Sequence, residues 1–271
     1  MRTINDIFIN DLTKGSLRFF LEQVKDNRNE LSLEIRNGYI NIYYKGGNLL
    51  KITQKKNGYS FFFDTKYCLN KDEGSNYQLL KNLPKDDIEQ HVQHFKLLKD
   101  EMDTWFKKYQ KLERDYQHNL LVANPCIIDI EYQIRNILRL DMLMYADGKL
   151  YIVENKYGIG AIGGKSGIKD HYEKICQVLS TPQLYSELVD SIYHISKAKK
   201  ELGLRNEIIQ REDISGAEIL FLFANYNPNS TSLEKAVESI EARYPAKILM
   251  MDGDEFKIEL SKAKDMFGYG N

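Results

Sequence analysis

The sequence predicts a mixed α/β chain in which an N-terminal antiparallel β-meander precedes a mixed central sheet flanked by helices. Three observations carry this expectation. The dipeptides Asn37-Gly38, Gly46-Gly47 and Asn57-Gly58 separate runs rich in Ile, Tyr and Phe, which is the signature of successive hairpins. After Asn124-Pro125 the periodicity runs strand, strand, strand, helix, helix, strand, helix, strand. With 271 residues, 42% of them hydrophobic, the chain has enough apolar surface for one large domain or two small ones.

Along the chain, a short amphipathic helix around Gly15 to Lys25 comes first. The strands LSLEIR, YINIYYK, NLLKITQKK and YSFFFDTKY then form the meander. Residues Leu69 to Lys85 are polar, end near Pro84 and read as a linker, which divides the chain into a β-rich domain, 1–84, and a second domain, 85–271. One long helix is expected from Asp86 to Leu121. The strands CIIDIEYQIR, LRLDMLMYA and KLYIVENKY follow, with Asp147-Gly148 as the turn between the last two. A glycine-rich segment leads into a helix from Ile168 to Ser180. Pro182 permits a new helix to about Leu202, after which AEILFLFANY, SLEKAVESIEARY and AKILMMD read as strand, helix and strand.

Charge and cysteine content exclude several classes. Lys and Arg number 38 against 39 Asp and Glu, a formal charge of −1, so no global basic field exists to coat nucleic acid and any such contact must be local. Cys68, Cys126 and Cys176 are odd in number and lack paired spacing, which argues against a disulfide framework or a zinc knuckle and for a reducing compartment. The start MRTINDIFINDL has no apolar core, and no later stretch approaches the roughly 18 apolar residues of a membrane span. The expectation is a cytoplasmic protein with no membrane partner.

The register of one hairpin is the most informative feature. With Asp147-Gly148 as a two-residue turn, Ala146 faces Lys149, and stepping back along both strands brings Asp141 opposite Glu154. Their Cβ atoms are then expected about 4.5–5.5 Å apart on one face. Period-two alternation adds Lys156 to that face and turns Asn155 away. Near the turn both faces of the strands are apolar, so the hairpin is expected to be central and buried. Two carboxylates opposed there repel and lose hydration, which a divalent cation such as Mg²⁺ relieves, since it takes oxygen ligands and is usually held by one or two carboxylates. Lys156 is then placed to bind a phosphate oxygen or orient the attacking water.

Asp141, a hairpin, and Glu154-Asn155-Lys156 resemble the motif of the PD-(D/E)XK nuclease superfamily, whose fold is restriction-endonuclease-like. Arg139 and Leu140 stand where the motif's name has Pro, a loose position. Within that superfamily the segments ERDYQ, IIDIEYQIR, RLDML, ENKYG and GGKSGIKDH together resemble a group of bacterial proteins, and the resemblance covers about Glu101 to Ala224. It implies a metal-dependent nuclease, with DNA as the expected substrate. It also implies Mg²⁺ or Mn²⁺ held by Asp141, Glu154 and the Asn155 backbone carbonyl, Lys156 assisting the attacking water, and Glu113 on the preceding helix completing the site. Restriction enzymes and resolvases on this fold imply a homodimer by analogy.

The glycine-rich loop Tyr157 to Lys169 offers backbone N–H groups, Lys165 and Ser166 to a substrate phosphate, and His171 on the following helix positions a phosphate or water. The same segment nearly forms a P-loop, but Gly164-Lys165-Ser166 would require Gly where Ile159 stands; with Asp252 ending an apolar strand, an NTPase is the lesser enzymatic alternative. A non-cleaving nucleic-acid-binding or protein-interaction module on the same fold is the other. Asp129 and Glu131 either add metal ligands or line a solvated face with Gln133 and Arg135, the latter being expected for Asp129. His91 and His94 read as a polar helix face rather than a metal pair. Lys107, Lys108, Lys111 and Arg114 recur along one helix and either track phosphates or form a solvated face, the latter being the default. The aromatic residues of the meander (Tyr39, Tyr43, Tyr44, Tyr59, Phe61, Phe62, Phe63) read as core plus a modest partner surface.

Overall fold

The structure is a computed structural model that describes residues 1–134, 136–158, 162–164, 167–227 and 231–268. It is mixed α and β, with a four-stranded antiparallel sheet, a six-stranded mixed sheet and eight α-helices among the described residues. The chain divides into two compact units, Met1–Asp115 with His194–Ile208, and Tyr116–Tyr193 with Ile209–Asn271.

In the first unit, helices α1 (Asp6–Thr13) and α2 (Arg18–Asp26) precede strands β1 (Leu31–Ile35), β2 (Tyr39–Tyr44), β3 (Gly47–Lys55) and β4 (Gly58–Phe62). These pair in sequence order as the expected meander. The amphipathic helix expected near Gly15 is thus preceded by a second one, which Asn5 caps by accepting the Phe8 N–H at 2.9 Å. One face of the meander (Leu33, Ile35, Ile40, Ile42, Leu50, Ile52, Phe61) is buried. Tyr43, Tyr44, Tyr59, Phe61 and Phe63 are core, whereas Phe62 is exposed.

The second turn is Lys45-Gly46 rather than Gly46-Gly47, with Tyr44 paired to Gly47. Gly47 serves packing instead: a Cβ there would lie 2.7 Å from Met102 Cε and 2.9 Å from Phe106 Cζ. Those residues belong to α4 (Ile88–Lys108), which Asp87 caps through the Gln90 N–H. The single helix expected over 86–121 is two, α4 and α5 (Leu112–Ala123), broken at Tyr109–Lys111. The expected linker 69–85 contains helix α3 (Asn76–Lys81). No proline or glycine marks the break at Tyr109, and propensity alone does not register it. His91 is not on a polar face: it is buried, stacks on Phe61 at 4.5 Å and contacts the Pro84 carbonyl through Nε2. With Phe61 N–H also donating to Lys85 O at 2.7 Å, the start of α4 is tied to the meander, so the compact unit runs past the expected boundary at residue 84.

The second unit is built on β5 (Ile127–Ile134), β6 (Leu138–Ala146), β7 (Lys149–Tyr157), β8 (Ala217–Ala224), β9 (Ala246–Met251) and β10 (Lys264–Asp265). The strands lie in sequence order: β5, β6 and β7 form an antiparallel meander, β7, β8 and β9 are mutually parallel, and β10 pairs antiparallel to β9. Helix α6 (Ile168–Ser180) follows β7, and α7 (Pro182–Glu201) begins on the expected proline, whose missing N–H costs nothing in a first turn. Helix α8 (Thr231–Glu238) joins β8 to β9. The strands β7 and β8 are buried on both faces, as a sheet covered by helices on both sides requires. Helix α6 packs on β6 and β8. On the other face Tyr116 of α5 rests against Tyr157, with ring centroids 5.6 Å apart.

Candidate active site

The hairpin of β6 and β7 has the expected register from Ala146↔Lys149 to Met142↔Val153, and there the ladder stops. Beyond it β6 pairs only with β5, through Leu140↔Tyr132 to Leu138↔Ile134. Asp141 is the first residue past the separation. Its main-chain carbonyl accepts from Gln117 Nε2 of α5 at 3.0 Å. Its carboxylate Oδ2 accepts the backbone N–H of Asn155 at 2.9 Å. The amides of Leu150 and Gly158 bond toward the β8 side, at Gly216 O and Ala224 O, so even-numbered residues of β7 address β8 and odd-numbered ones address β6. The carbonyl of Asn155 therefore faces the same gap as its N–H.

Glu154 is fully buried, with no exposed surface. Its Oε2 accepts from His171 Nδ1 of α6 and lies 3.6 Å from Lys156 Nζ. Its Oε1 is buried without a hydrogen-bond partner. Burial, and then the charge of Glu154, hold the Asp141 carboxyl well above the usual carboxylate range; the Asn155 amide and Lys156 oppose this. Glu131 on β5 also raises it.

Glu131 sits in β5 between Ile130 and Tyr132, whose partners Met142 and Leu140 flank Asp141, and its charge, like that of Glu154, acts on Asp141. It has a positive φ of 53° inside a strand and pairs with Arg139 at 2.9 Å. A left-handed non-glycine residue costs of order 1–3 kcal/mol, and such positions concentrate where function over-determines the backbone.

Of the residues singled out from sequence, Asp141, Glu154, Asn155, Lys156 and His171 are thus brought together. The imidazole of His171 is engaged by Glu154. Lys165 and Ser166 lie outside the described residues, as does Arg135. Glu113 is exposed in the first turn of α5. Asp129 is fully buried, so the solvated face expected for it is wrong: β5 is covered where it pairs with β6, and alternation cannot distinguish a solvated face from a helix-covered one. Gln117 was missed; its one sequence signal is its place a helical turn after Glu113. Glu131's backbone conformation left no signal.

The donor set fits a hard divalent cation in one respect that the protein itself displays: a buried carboxylate oxygen, Glu154 Oε1, is left without a donor beside a second carboxylate. Among the described residues, no group of three or more His, Cys, Asp and Glu side chains is arranged to hold a metal. Two carboxylates and the Asn155 carbonyl are what is available, which suits Mg²⁺ and does not suit Zn²⁺. No protein-family model, curated protein or solved structure matches the chain. Among the described residues no helix is long and apolar enough to cross a membrane.

Proposed function

We propose that this chain is a metal-dependent nuclease of the PD-(D/E)XK type, with a restriction-endonuclease-like core in its second unit and DNA as its substrate. The observation that carries the reading is the pair Asp141 and Glu154 at the separation of β6 from β7, with Glu154 Oε1 buried and unpartnered and Lys156 beside it. In this reading Asp141, Glu154 and the Asn155 carbonyl hold Mg²⁺ or Mn²⁺. When bound, the cation supplies Lewis acidity toward a phosphodiester oxygen.

The protein's own groups do the rest. Asn155 N–H fixes one oxygen of Asp141, so that the other is presented in a defined direction. His171 and Lys156 hold Oε2 of Glu154, leaving Oε1 to face the ligand. The Lys156 ammonium stands beside Glu154 and in this reading hydrogen-bonds a phosphate oxygen or orients the attacking water for in-line displacement. Such preorganised charge is the main source of rate in phosphoryl transfer.

The test uses the purified full chain with supercoiled plasmid, single-stranded DNA and RNA, with Mg²⁺, Mn²⁺ or EDTA. The expected result is cation-dependent cleavage that Asp141→Ala, Glu154→Gln and Lys156→Ala each reduce by a factor of about 100 or more, with melting curves confirming a folded chain. The reading fails if no nucleic acid is cut and calorimetry finds no cation binding that Asp141→Ala removes.

A further inference from the structure

We propose that the half-buried Trp105 and the exposed Tyr109, with Lys107, Lys108 and Lys111 around them, form a stacking surface for a single-stranded segment of nucleic acid. It lies wholly in the first unit, at the end of α4 and the start of α5, and needs neither the carboxylate site nor a metal. The two rings have centroids 5.0 Å apart and are tilted by 44°. Tyr109 is 44% exposed and the neighbouring Leu112 57% exposed, large apolar surfaces for a chain that buries most of its aromatics.

The pair is backed by a rigid support. Trp105 meets Tyr67 edge-on at 5.3 Å and Phe106 at 5.7 Å, and both of these are buried. Phe106 is in turn covered by the Arg114 guanidinium at 3.7 Å. A ring held this way loses little freedom when a base stacks on it, which is what makes a stacking contact productive.

The charges point to the ligand. Lys108 Nζ lies over the Tyr109 ring, 5.5 Å from its centroid, and Lys111 Nζ over the Trp105 ring at 5.9 Å, so cations on flexible stems stand beside the aromatic surface, within reach of the phosphates of a strand laid on it. None of Lys107, Lys108 and Lys111 is in an ion pair among the described residues, although Lys45, Lys66, Lys149 and Lys174 are. The nearby acids are spent elsewhere: Asp103 accepts from Tyr44 and Lys45, and Asp115 from Arg114. Glu113 is the one acid between Thr104 and Arg114. A polyanion offering flat apolar faces complements both properties together. An acidic peptide would use only the charge, and a duplex hides the faces of its bases.

Trp105 is the sole tryptophan of the chain, so its fluorescence reports on this surface alone. The experiment titrates the full chain in EDTA with an oligodeoxythymidylate of about 20 nucleotides, a duplex of equal length and poly-glutamate, following Trp quenching and, in parallel, the anisotropy of a labelled oligonucleotide. Saturable quenching by the single strand is expected. Tyr109→Ala should weaken binding about tenfold, as for one lost stacked base. Lys108→Gln and Lys111→Gln, exposed changes that leave the fold intact, should each lower the slope of log affinity against log salt by roughly 0.7. Because the titration is run in EDTA, its outcome is independent of the cation-dependent cleavage assay. Absence of quenching, equal affinity for duplex or poly-glutamate, or a single-strand affinity unchanged by all three surface substitutions overturns the proposal.

Discussion

The carboxylate of Asp141 takes the backbone N–H of Asn155 that a continuing β-ladder would have given to Leu140. One side-chain hydrogen bond thereby ends the pairing of β6 with β7 and keeps the amide satisfied, and it anchors one acidic group at the mouth of the gap it creates. The arrangement places a second carboxyl beside Glu154, where burial and that neighbour oppose its ionisation.

That cost gives a first prediction, with a definite sign. Because burial and Glu154 raise the Asp141 pKa in the folded state, folding binds a proton more tightly than the unfolded chain does, whose Asp titrates near 3.9. The group's contribution is therefore most favourable below about pH 3.9 and is lost as pH rises through the folded-state value. Asp141→Asn keeps an acceptor for Asn155 and removes the charge. Its melting temperature at pH 7.5 should exceed that of the parent by about 2–4 °C for each kcal/mol relieved, with the gap closing toward low pH. In the nuclease reading Mg²⁺ raises the melting temperature of the parent and not of this variant. A variant that melts below the parent at neutral pH contradicts the electrostatic account.

His171 supports a carboxylate that has no access to water. His171→Ala should cost about 1–3 kcal/mol in urea-induced unfolding, since it strips a donor from a fully buried acceptor. Asn at this position carries an N–H near the place of Nδ1 and should recover most of the loss. Equal stability of the Ala and Asn variants would show that the contact contributes nothing.

The side chain of Asn155 is 1% exposed, and neither its Oδ1 nor its Nδ2 has a hydrogen-bond partner. Asn155→Leu, close in shape, should be neutral or stabilising by about 1 kcal/mol, because it removes two unsatisfied polar atoms and leaves the backbone amide and carbonyl in place. Denaturant midpoints decide this, and a loss above about 1 kcal/mol would reveal a polar partner for the amide.

Gly47→Ala should destabilise the first unit by about 1–3 kcal/mol, since its Cβ would press on Met102 and Phe106, which pack in the core of α4. Calorimetry of Gly47→Ala beside Gly38→Ala separates the two causes, because at Gly38 the φ of 73° is unfavourable but no atom lies within 4 Å.

Strand order in the meander and the register of the β6 and β7 hairpin were legible because both depend on contacts close in sequence. Alternation, a two-residue turn and the count back from it give the pairing from Ala146↔Lys149 to Met142↔Val153, and the Pro182 start of α7 is read from a residue whose chemistry permits little else. The break between α4 and α5 was not legible, since no proline or glycine interrupts the helical periodicity at Tyr109 to Lys111.

The sequence by itself determined the two sheets, most of the helices and the identity of the opposed acids, all set by local patterns of apolar residues and turns. Tertiary structure alone decided that Asp129 and His91 are buried, that Glu131 is held at positive φ beside Asp141, and that His171 reaches Glu154 from α6. Each depends on which element covers which face, and a face sealed by a helix has the same alternation in sequence as one open to water. The same reason explains the orphaned Glu154 Oε1: the residue is written plainly in the chain, but its lack of a donor is a property of everything packed around it.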